Sequence, residues 1–193
     1  MSPGARDLKS DRQSGVLFSS REIGERIRQM VESIERDYRD KELVVIAVLK
    51  GSVLFLADLV RGFSRPLAFD FIGVSSYGHS RTSLGVINLE KEISIDIRDK
   101  DVLVVDDILD SGRTLGWVKE HLGKFNPRSV KICVLLQKQA RRVIDVRADY
   151  VGFEIPDVFI YGYGLDYRDR YRHLPYIARL AESEVPPGEN REE

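Results

Sequence analysis

Hydrophobic residues recur at steps of three and four after Ser19, which is the spacing of one face of a helix. This stripe consists of Ile23, Ile27, Met30, Val31, Ile34 and Tyr38. Ser19 and Glu22 have the spacing of a capping box, in which each side chain satisfies a backbone N–H at the helix start. The pattern therefore predicts an amphipathic helix that begins near Ser19.

A continuous apolar run occupies residues 43–49, and the mostly apolar segments 101–106 and 129–136 predict two further strands. They are rich in β-branched residues and are typical of strands that are covered on both faces. Residues 67–76 predict a further strand. Residues 77–89 are polar and contain glycines, which indicates a mobile loop or a hairpin, with the flexible part at about 75–90.

Helical spacing lies between the predicted strands, at 53–63 and from about Gly112 to Phe125. The alternation of strands and helices predicts an α/β fold with a mainly parallel sheet and helices on both faces. In such folds ligands bind beyond the carboxyl ends of the strands. We therefore look for chemistry where each predicted strand stops.

The 193 residues and 22.0 kDa suit one domain with a single core. Residues 1–15 and 182–193 are polar and contain glycine and proline, so they predict disordered tails around a domain at 16–181. The net charge is −1, with 30 basic and 31 acidic residues, which gives no bulk attraction for nucleic acid or for an anionic membrane. Cys133 lies in an apolar run and is predicted to be a buried structural thiol. With one cysteine, no signal core and no segment of transmembrane length, we expect a cytoplasmic protein without membrane or nucleic-acid partners.

Three carboxylates follow a hydrophobic run in the segment VLVVDDILDSGRTL, residues 102–115. They are Asp106, Asp107 and Asp110. One aspartate here could simply complement the dipole of the next helix. Three of them repel one another, so the sequence indicates that a ligand requires the charge.

The turn after these acids suits a phosphate. Ser111 and Gly112 allow backbone N–H groups to converge at the start of a helix, and Ser111 and Thr114 add hydroxyl donors. A ligand that satisfies both the acids and this turn carries a phosphate at one end and hydroxyls, a metal or a proton at the other. A phosphorylated sugar fits this description. The GYGLDY segment has Tyr167 where a dinucleotide fingerprint needs glycine, and the three histidines lack metal spacing.

The segment at 102–115 closely resembles the phosphoribosyl-pyrophosphate motif of type I phosphoribosyltransferases. VLKGS (48–52), FIGVSSYG (71–78), Lys138 and the stretch at 150–177 are similar to the hypoxanthine (hypoxanthine-guanine) phosphoribosyltransferase family. The resemblance implies the type I fold, a mainly parallel twisted sheet flanked by helices, with a small hood subdomain from the terminal segments. It also implies purine salvage: a 6-oxopurine displaces pyrophosphate from phosphoribosyl pyrophosphate, with Mg²⁺, giving IMP or GMP. Relatives form homodimers or homotetramers, and the resemblance implies the same here.

The resemblance also assigns roles on the sugar side of the site. Asp106 and Asp107 match the acidic pair that binds the ribose hydroxyls and the metal, and Asp110 matches the general base near N7 of the purine. Lys50 and Gly51 match the pyrophosphate loop, which in this family has a cis peptide bond before the lysine. The implied binding residues of the motif and its 5′-phosphate turn are Ile108, Ser111, Gly112, Arg113 and Thr114.

On the base side, Lys138 matches the donor to the purine O6, Phe159 the stacking aromatic, and Ile160 the residue whose backbone meets the base edge. Asp166 matches a further Mg²⁺ ligand and Arg172 a second pyrophosphate contact. Ser76 and Tyr77 match the mobile loop that closes over the site and excludes water.

Two positions depart from the family pattern. Asp106 stands where the family commonly has Glu, and Arg113 stands where Lys or Asn is frequent. The motif also reads this way in RNA-binding pyrimidine attenuation regulators, which are an alternative. Against them stand Asp110, the segment at 150–177 and the lack of a basic face. A phosphoribosyltransferase for another base is a second alternative, which Lys138 and Phe159 disfavour.

Overall fold

The structure is a computed structural model that describes residues 15–77, 86–138 and 143–181. The predicted tails, apart from Gly15, and residues 78–85 of the predicted loop lie outside the described residues. Within these ranges the elements, in chain order, are β1 (Val16–Phe18), α1 (Ser20–Asp37), β2 (Leu43–Leu49), α2 (Val53–Arg61), β3 (Ala68–Tyr77), β4 (Val86–Lys91), β5 (Asp101–Leu109), α3 (Arg113–Gly123), β6 (Ser129–Lys138), β7 (Tyr150–Ile155), β8 (Ile160–Tyr161) and β9 (Ile177–Arg179).

The main sheet has six strands in the order β4-β3-β2-β5-β6-β7. Five of them are parallel, and β4 pairs antiparallel with β3, with Tyr77 opposite Val86. The polar stretch after β3 is therefore partly the second arm of a hairpin. The predicted α/β fold with a mainly parallel sheet is confirmed.

A second, three-stranded sheet joins the two ends of the chain in the order β1-β9-β8. Val16 lies opposite Ala178, and the Gly15 carbonyl accepts a 2.7 Å hydrogen bond from the Arg179 N–H. This sheet is the small subdomain that the resemblance implies.

Helices cover both faces of the main sheet. Successive residues of β2 enter different cores: Val45 packs with α1 and α2, whereas Val44 packs with α3. This alternation is the period-two geometry of a strand that is buried on both sides. Cys133 on β6 is fully buried, as predicted, and burial together with the nearby Asp149 raises the pKa of its thiol.

Helix α1 begins as predicted, with Ser19 as N-cap and a complete capping box to Glu22. Four predicted ends differ from the observed ones by two or three residues. Helix α2 ends at Arg61 rather than Phe63, and strand β6 ends at Lys138 rather than Leu136. Helix α3 ends at Gly123 rather than near Phe125. Strand β5 continues past Asp106 to Leu109, because Ile108 and Leu109 still pair with β6.

Asp70 on β3 anchors the segment that follows β4. Its carboxylate accepts hydrogen bonds from Ser94 N (2.6 Å), Ser94 Oγ (2.9 Å) and Lys91 Nζ (3.1 Å). Burial tends to raise the pKa of Asp70, but the hydrogen bonds from Ser94, Phe71 and Lys91 outweigh it and hold this pKa well below the ordinary value. No helix in the described ranges is both long and apolar enough to cross a bilayer.

Candidate active site

The carboxyl ends of β2, β3 and β5 surround one cavity of about 220 Å³. Parallel strands place these ends at the same edge of the sheet, where ligands of such folds bind. The cavity is lined by Val48, Leu49, Gly51, Val74, Ser75, Ile87, Asp106, Asp107, Ile108, Leu109, Asp110, Ser111, Gly112, Thr114 and Leu115.

The acidic pair on β5 lies in the cavity wall, where Asp106 is buried and Asp107 is half-buried. Asp107 N donates a 3.0 Å hydrogen bond to Asp106 Oδ1. Burial and then the charge of Asp107 raise the pKa of Asp106 well above its ordinary value. Burial also raises the pKa of Asp107, against the lowering effect of its hydrogen bonds and of Arg172. Two adjacent buried carboxyls require protons or a cation nearby.

The loop after β2 lies against this pair. The peptide bond between Leu49 and Lys50 is cis, as the resemblance implies. A Cβ built on Gly51 would overlap the Asp107 carboxylate, and a Cβ built on Gly164 would overlap the Gly51 carbonyl oxygen. Glycine at both positions allows this close approach of loop, acid and C-terminal segment.

The turn from Ser111 to Thr114 is open to an anion. Gly112 has a φ of 83°, a conformation that favours glycine, and it precedes α3 without a side-chain cap. The first intrahelical bond of α3 runs from Gly116 N to Gly112 O, so the N–H groups before it have no partner within the helix. Among them, Arg113 N donates a long hydrogen bond of 3.4 Å to Ser111 Oγ. Val143 N and Ile144 N hold the Ser111 carbonyl at 3.0 and 3.2 Å.

Asp110 has one uncommitted oxygen. Its Oδ1 is buried and has no hydrogen-bond partner within the described residues. Its Oδ2 lies 3.5 Å from the Nζ of Lys138, the last residue of β6. Lys138 is 7% exposed, and its Nζ also lies 3.4 Å from Asp157 Oδ1. The predicted base and the predicted O6 donor are therefore neighbours.

Arg172 and Asp166 form an ion pair of 2.6 Å. Arg172 Nη1 also donates to the Gly164 carbonyl at 2.6 Å, which ties the guanidinium to the glycine that packs on Gly51. Tyr163 anchors the same segment to α2 through a 2.6 Å hydrogen bond from its hydroxyl to Asp58.

Of the two predicted base-contacting residues, Phe159 directly precedes β8 and Ile160 is its first residue. The Phe159 ring meets Tyr167 edge to face, with centroids 5.4 Å apart. The Ile160 side chain is 6% exposed and packs in the core, so its backbone is the part that can meet a ligand.

The structure brings together on the cavity wall Gly51, Asp106, Asp107, Ile108, Asp110, Ser111, Gly112 and Thr114. The predicted residues outside this lining, within the described chain, are Lys50, Arg113, Lys138, Phe159, Ile160, Asp166 and Arg172. The side chains of Ser76 and Tyr77 lie outside the description.

Sequence reasoning missed several lining residues: Val48, Leu49, Val74, Ser75, Ile87, Leu109 and Leu115. Leu49 ends one predicted strand and Ser75 lies one residue before the end of another, so the strand-end rule could have found these two. Ile87 is brought in by the β3–β4 pairing, which no local pattern indicates.

The implied Mg²⁺ fits part of the predicted ligand set. Among the described residues, no three metal-ligating side chains are grouped closely enough to hold an ion. Mg²⁺ commonly binds through one or two carboxylates and takes its other ligands from substrate phosphates and water. Asp106 and Asp107 can supply such carboxylates, whereas Asp166 is engaged by Arg172 and by Asp169 N at 2.9 Å.

Comparisons with known proteins find relatives that match most of this chain. Residues 15–168 match the phosphoribosyl transferase domain family. The hypoxanthine-guanine phosphoribosyltransferase of Mycobacterium bovis is 45% identical over 180 residues, covering 90% of this chain and 87% of its own. The hypoxanthine phosphoribosyltransferase of Salmonella typhimurium is 45% identical over 167 residues, covering 86% and 94%. The crystal structure of a hypoxanthine phosphoribosyltransferase from Staphylococcus aureus superposes with a TM-score of 0.86 at 38% identity, covering 93% and 98%.

Proposed function

The chain belongs to the hypoxanthine (hypoxanthine-guanine) phosphoribosyltransferases of the phosphoribosyl transferase domain family, and from this premise we propose how its site works. It is a purine-salvage enzyme that forms a nucleoside monophosphate from a 6-oxopurine and phosphoribosyl pyrophosphate. The observation that carries the proposed site is that one cavity is lined by both the acidic pair of Asp106 and Asp107 and a helix start without a side-chain cap.

The sugar substrate lies along the cavity in this proposal. Its 5′-phosphate accepts hydrogen bonds from the turn of Ser111 to Thr114, where the helix dipole favours negative charge. Asp106 and Asp107 accept hydrogen bonds from the ribose hydroxyls and stabilise the positive charge that develops on the ribose as the C1 bond breaks. The pyrophosphate meets the backbone at Lys50 and Gly51, with Arg172 nearby.

Bound Mg²⁺ would neutralise the pyrophosphate and strengthen it as a leaving group. Asp106 and Asp107 are the residues of this chain that would hold it. Their raised pKa values support the assignment, because a divalent cation offsets the mutual repulsion of buried carboxylates.

Asp110 accepts the proton of the purine in this proposal. The purine N9 forms the bond to C1 while pyrophosphate leaves, and the N7 proton passes to a carboxylate oxygen of Asp110. Oδ1 suits this role because it is buried and makes no other hydrogen bond within the described chain. Lys138 Nζ donates to the purine O6, and Phe159 stacks on the ring.

The alternatives named above are less well supported. The curated relatives quoted above are named for hypoxanthine or hypoxanthine-guanine transfer, which disfavours both the regulator and a transferase for another base. The homodimer or homotetramer, the absence of nucleic-acid and membrane partners, and the cytoplasmic location stay predictions.

A steady-state assay tests the proposed function. The protein is incubated with phosphoribosyl pyrophosphate, Mg²⁺ and, in turn, hypoxanthine, guanine, xanthine and adenine. We expect turnover with at least one 6-oxopurine and little with adenine. Turnover of adenine alone, or of none of the four, would contradict the proposal. A gel shift against pyrimidine-operon leader RNA, with and without UMP, separates the regulator from the enzyme.

A further inference from the structure

We propose that Asp157 is a positioning residue for base recognition, which holds the Lys138 ammonium between Asp110 and the loop that carries Phe159. This inference rests on the proposed function and extends it. Asp157 does not line the cavity. It lies in the stretch at 150–177, but none of the roles implied by the resemblance falls on it.

The Lys138 ammonium lies between two carboxylates at nearly equal distances. Its Nζ is 3.4 Å from Asp157 Oδ1 and 3.5 Å from Asp110 Oδ2. Both distances allow an ion pair but are long for a charge-assisted hydrogen bond, which is usually 2.7–2.9 Å. An ammonium has three donors, so Lys138 in this position can still turn one N–H towards a ligand.

The charges explain why two carboxylates are needed. The Lys138 side chain is 9% exposed, and a cation so deeply buried requires a counter-charge. If Asp110 were its sole partner, the ammonium would move onto Asp110 and occupy the oxygens that the proton transfer needs. Asp157 provides a second attraction at a similar distance, which keeps Lys138 from moving fully onto Asp110.

Asp157 also joins two walls of the predicted base pocket. It lies between β7 and β8, two residues before Phe159. A hydrogen bond from Val158 N to the Pro156 carbonyl tightens this loop at 2.9 Å, and Leu180 N donates to the Phe159 carbonyl at 2.9 Å. The ion pair therefore links the end of β6, which carries the donor, to the loop that carries the aromatic ring.

Kinetics of Asp157→Asn test the inference. The Asp157 side chain is 34% exposed, so the pair is partly screened and we expect a moderate effect. The KM for hypoxanthine should rise roughly fivefold, as expected for a pair worth about 1 kcal/mol, while the KM for phosphoribosyl pyrophosphate stays within about twofold. Asp157→Glu keeps the charge and should retain most of the wild-type KM. Asp145→Asn is the matched control, because Asp145 pairs only with the exposed Arg147 among the contacts described and its side chain is 85% exposed.

A double-mutant cycle separates positioning from a general structural role. Lys138→Ala should raise the KM for hypoxanthine far more than that for phosphoribosyl pyrophosphate. In the Lys138→Ala background, Asp157→Asn should add little further change. An equal effect of Asp157→Asn in both backgrounds, or an equal rise of both KM values, would overturn the inference. Wild-type turnover in the same assay tests the proposed function separately, so failure of one is distinguishable from failure of the other.

Discussion

The α-carbon of Gly51 lies against the carboxylate of Asp107, so closely that a Cβ at residue 51 would overlap Asp107 Oδ2. The carbonyl oxygen of the same glycine lies so close to Gly164 that a Cβ at residue 164 would overlap it. Three parts of the chain therefore meet at Gly51: the loop after β2, Asp107 of the acidic pair on β5, and the C-terminal segment that contains Gly164. A methyl group inserted there displaces a member of the predicted catalytic set.

Gly51→Ala should consequently reduce kcat/KM for phosphoribosyl pyrophosphate by roughly two orders of magnitude, since a displacement of about 1 Å can cost this much. Steady-state kinetics at saturating hypoxanthine provide the measurement. Gly24→Ala is the matched control, because a Cβ there meets nothing within 4 Å on helix α1. It should leave activity unchanged and stabilise the helix by about 0.5–1 kcal/mol. Near-wild-type kinetics for Gly51→Ala would show that Asp107 can move without consequence.

Asp110→Asn should lower kcat by about 10²–10⁴, since a positioned general base contributes that much. The amide keeps the size of the side chain, so the affinity for the nucleotide product should change little. Single-turnover kinetics and calorimetric titration with IMP measure the two quantities. Asp40→Asn, at an exposed position beyond α1, serves as the control. A kcat of Asp110→Asn close to that of the wild type would exclude Asp110 as the general base.

Asp106→Asn should stabilise the ligand-free protein near pH 7. A carboxyl whose pKa is raised by burial and by Asp107 weakens the fold once the pH exceeds the ordinary range, because the folded state must then ionise it in a buried site. Removing about 1 kcal/mol of this repulsion should raise Tm by roughly 2–4 °C.

The difference in Tm between Asp106→Asn and the wild type should shrink as the pH falls through the ordinary carboxyl range, because the carboxyl then becomes protonated in the unfolded state as well as in the folded state. Thermal scans from pH 4 to 8 measure it. Phosphoribosyl pyrophosphate with Mg²⁺ should raise the Tm of the wild type and much less that of the variant. A variant that is less stable at pH 7 would contradict this account.

Asp70→Asn should have the opposite pH dependence. The pKa of Asp70 is lowered in the folded protein, so its ionised form contributes stability above the ordinary carboxyl range, and this contribution is lost as the pH falls below about 4. Urea titrations at pH 7 should show a loss of about 1–3 kcal/mol in the variant, and the loss should diminish under acid conditions. If the difference in the free energy of unfolding between Asp70→Asn and the wild type were the same at low pH, the hydrogen bonds of Asp70 would stabilise the fold independently of its charge.

Much of the fold could be predicted because its determinants are local. The three- and four-residue steps after Ser19 and the capping box of Glu22 identify α1, and the β-branched run at 43–49 identifies β2 with its observed bounds. Strand β5 was predicted too short because aspartates favour turns in isolation. Pairing with β6 overrides that preference as far as Leu109.

The candidate site was predicted less completely, because part of it is formed by contacts between residues that are distant in sequence. The motif at 102–115 is contiguous and therefore readable, and most of its polar residues line the cavity. The contacts of Gly51 with Asp107 and of Lys138 with Asp157 join residues that are distant in sequence. No spacing rule indicates such contacts, since they depend on how parallel strands and the segments that follow them are arranged in space.

The rate at which a reagent labels Cys133 can be used to measure the opening of the central sheet. The single thiol lies on β6 with neighbours on β5 and β7, opposite Val105 and Tyr150, and burial raises its pKa. A thiol reagent can reach it when these strands separate, so the labelling rate follows the opening of the sheet. Because the same strand ends at Lys138, substrates that bind at that end should slow the labelling of a cysteine which they never touch.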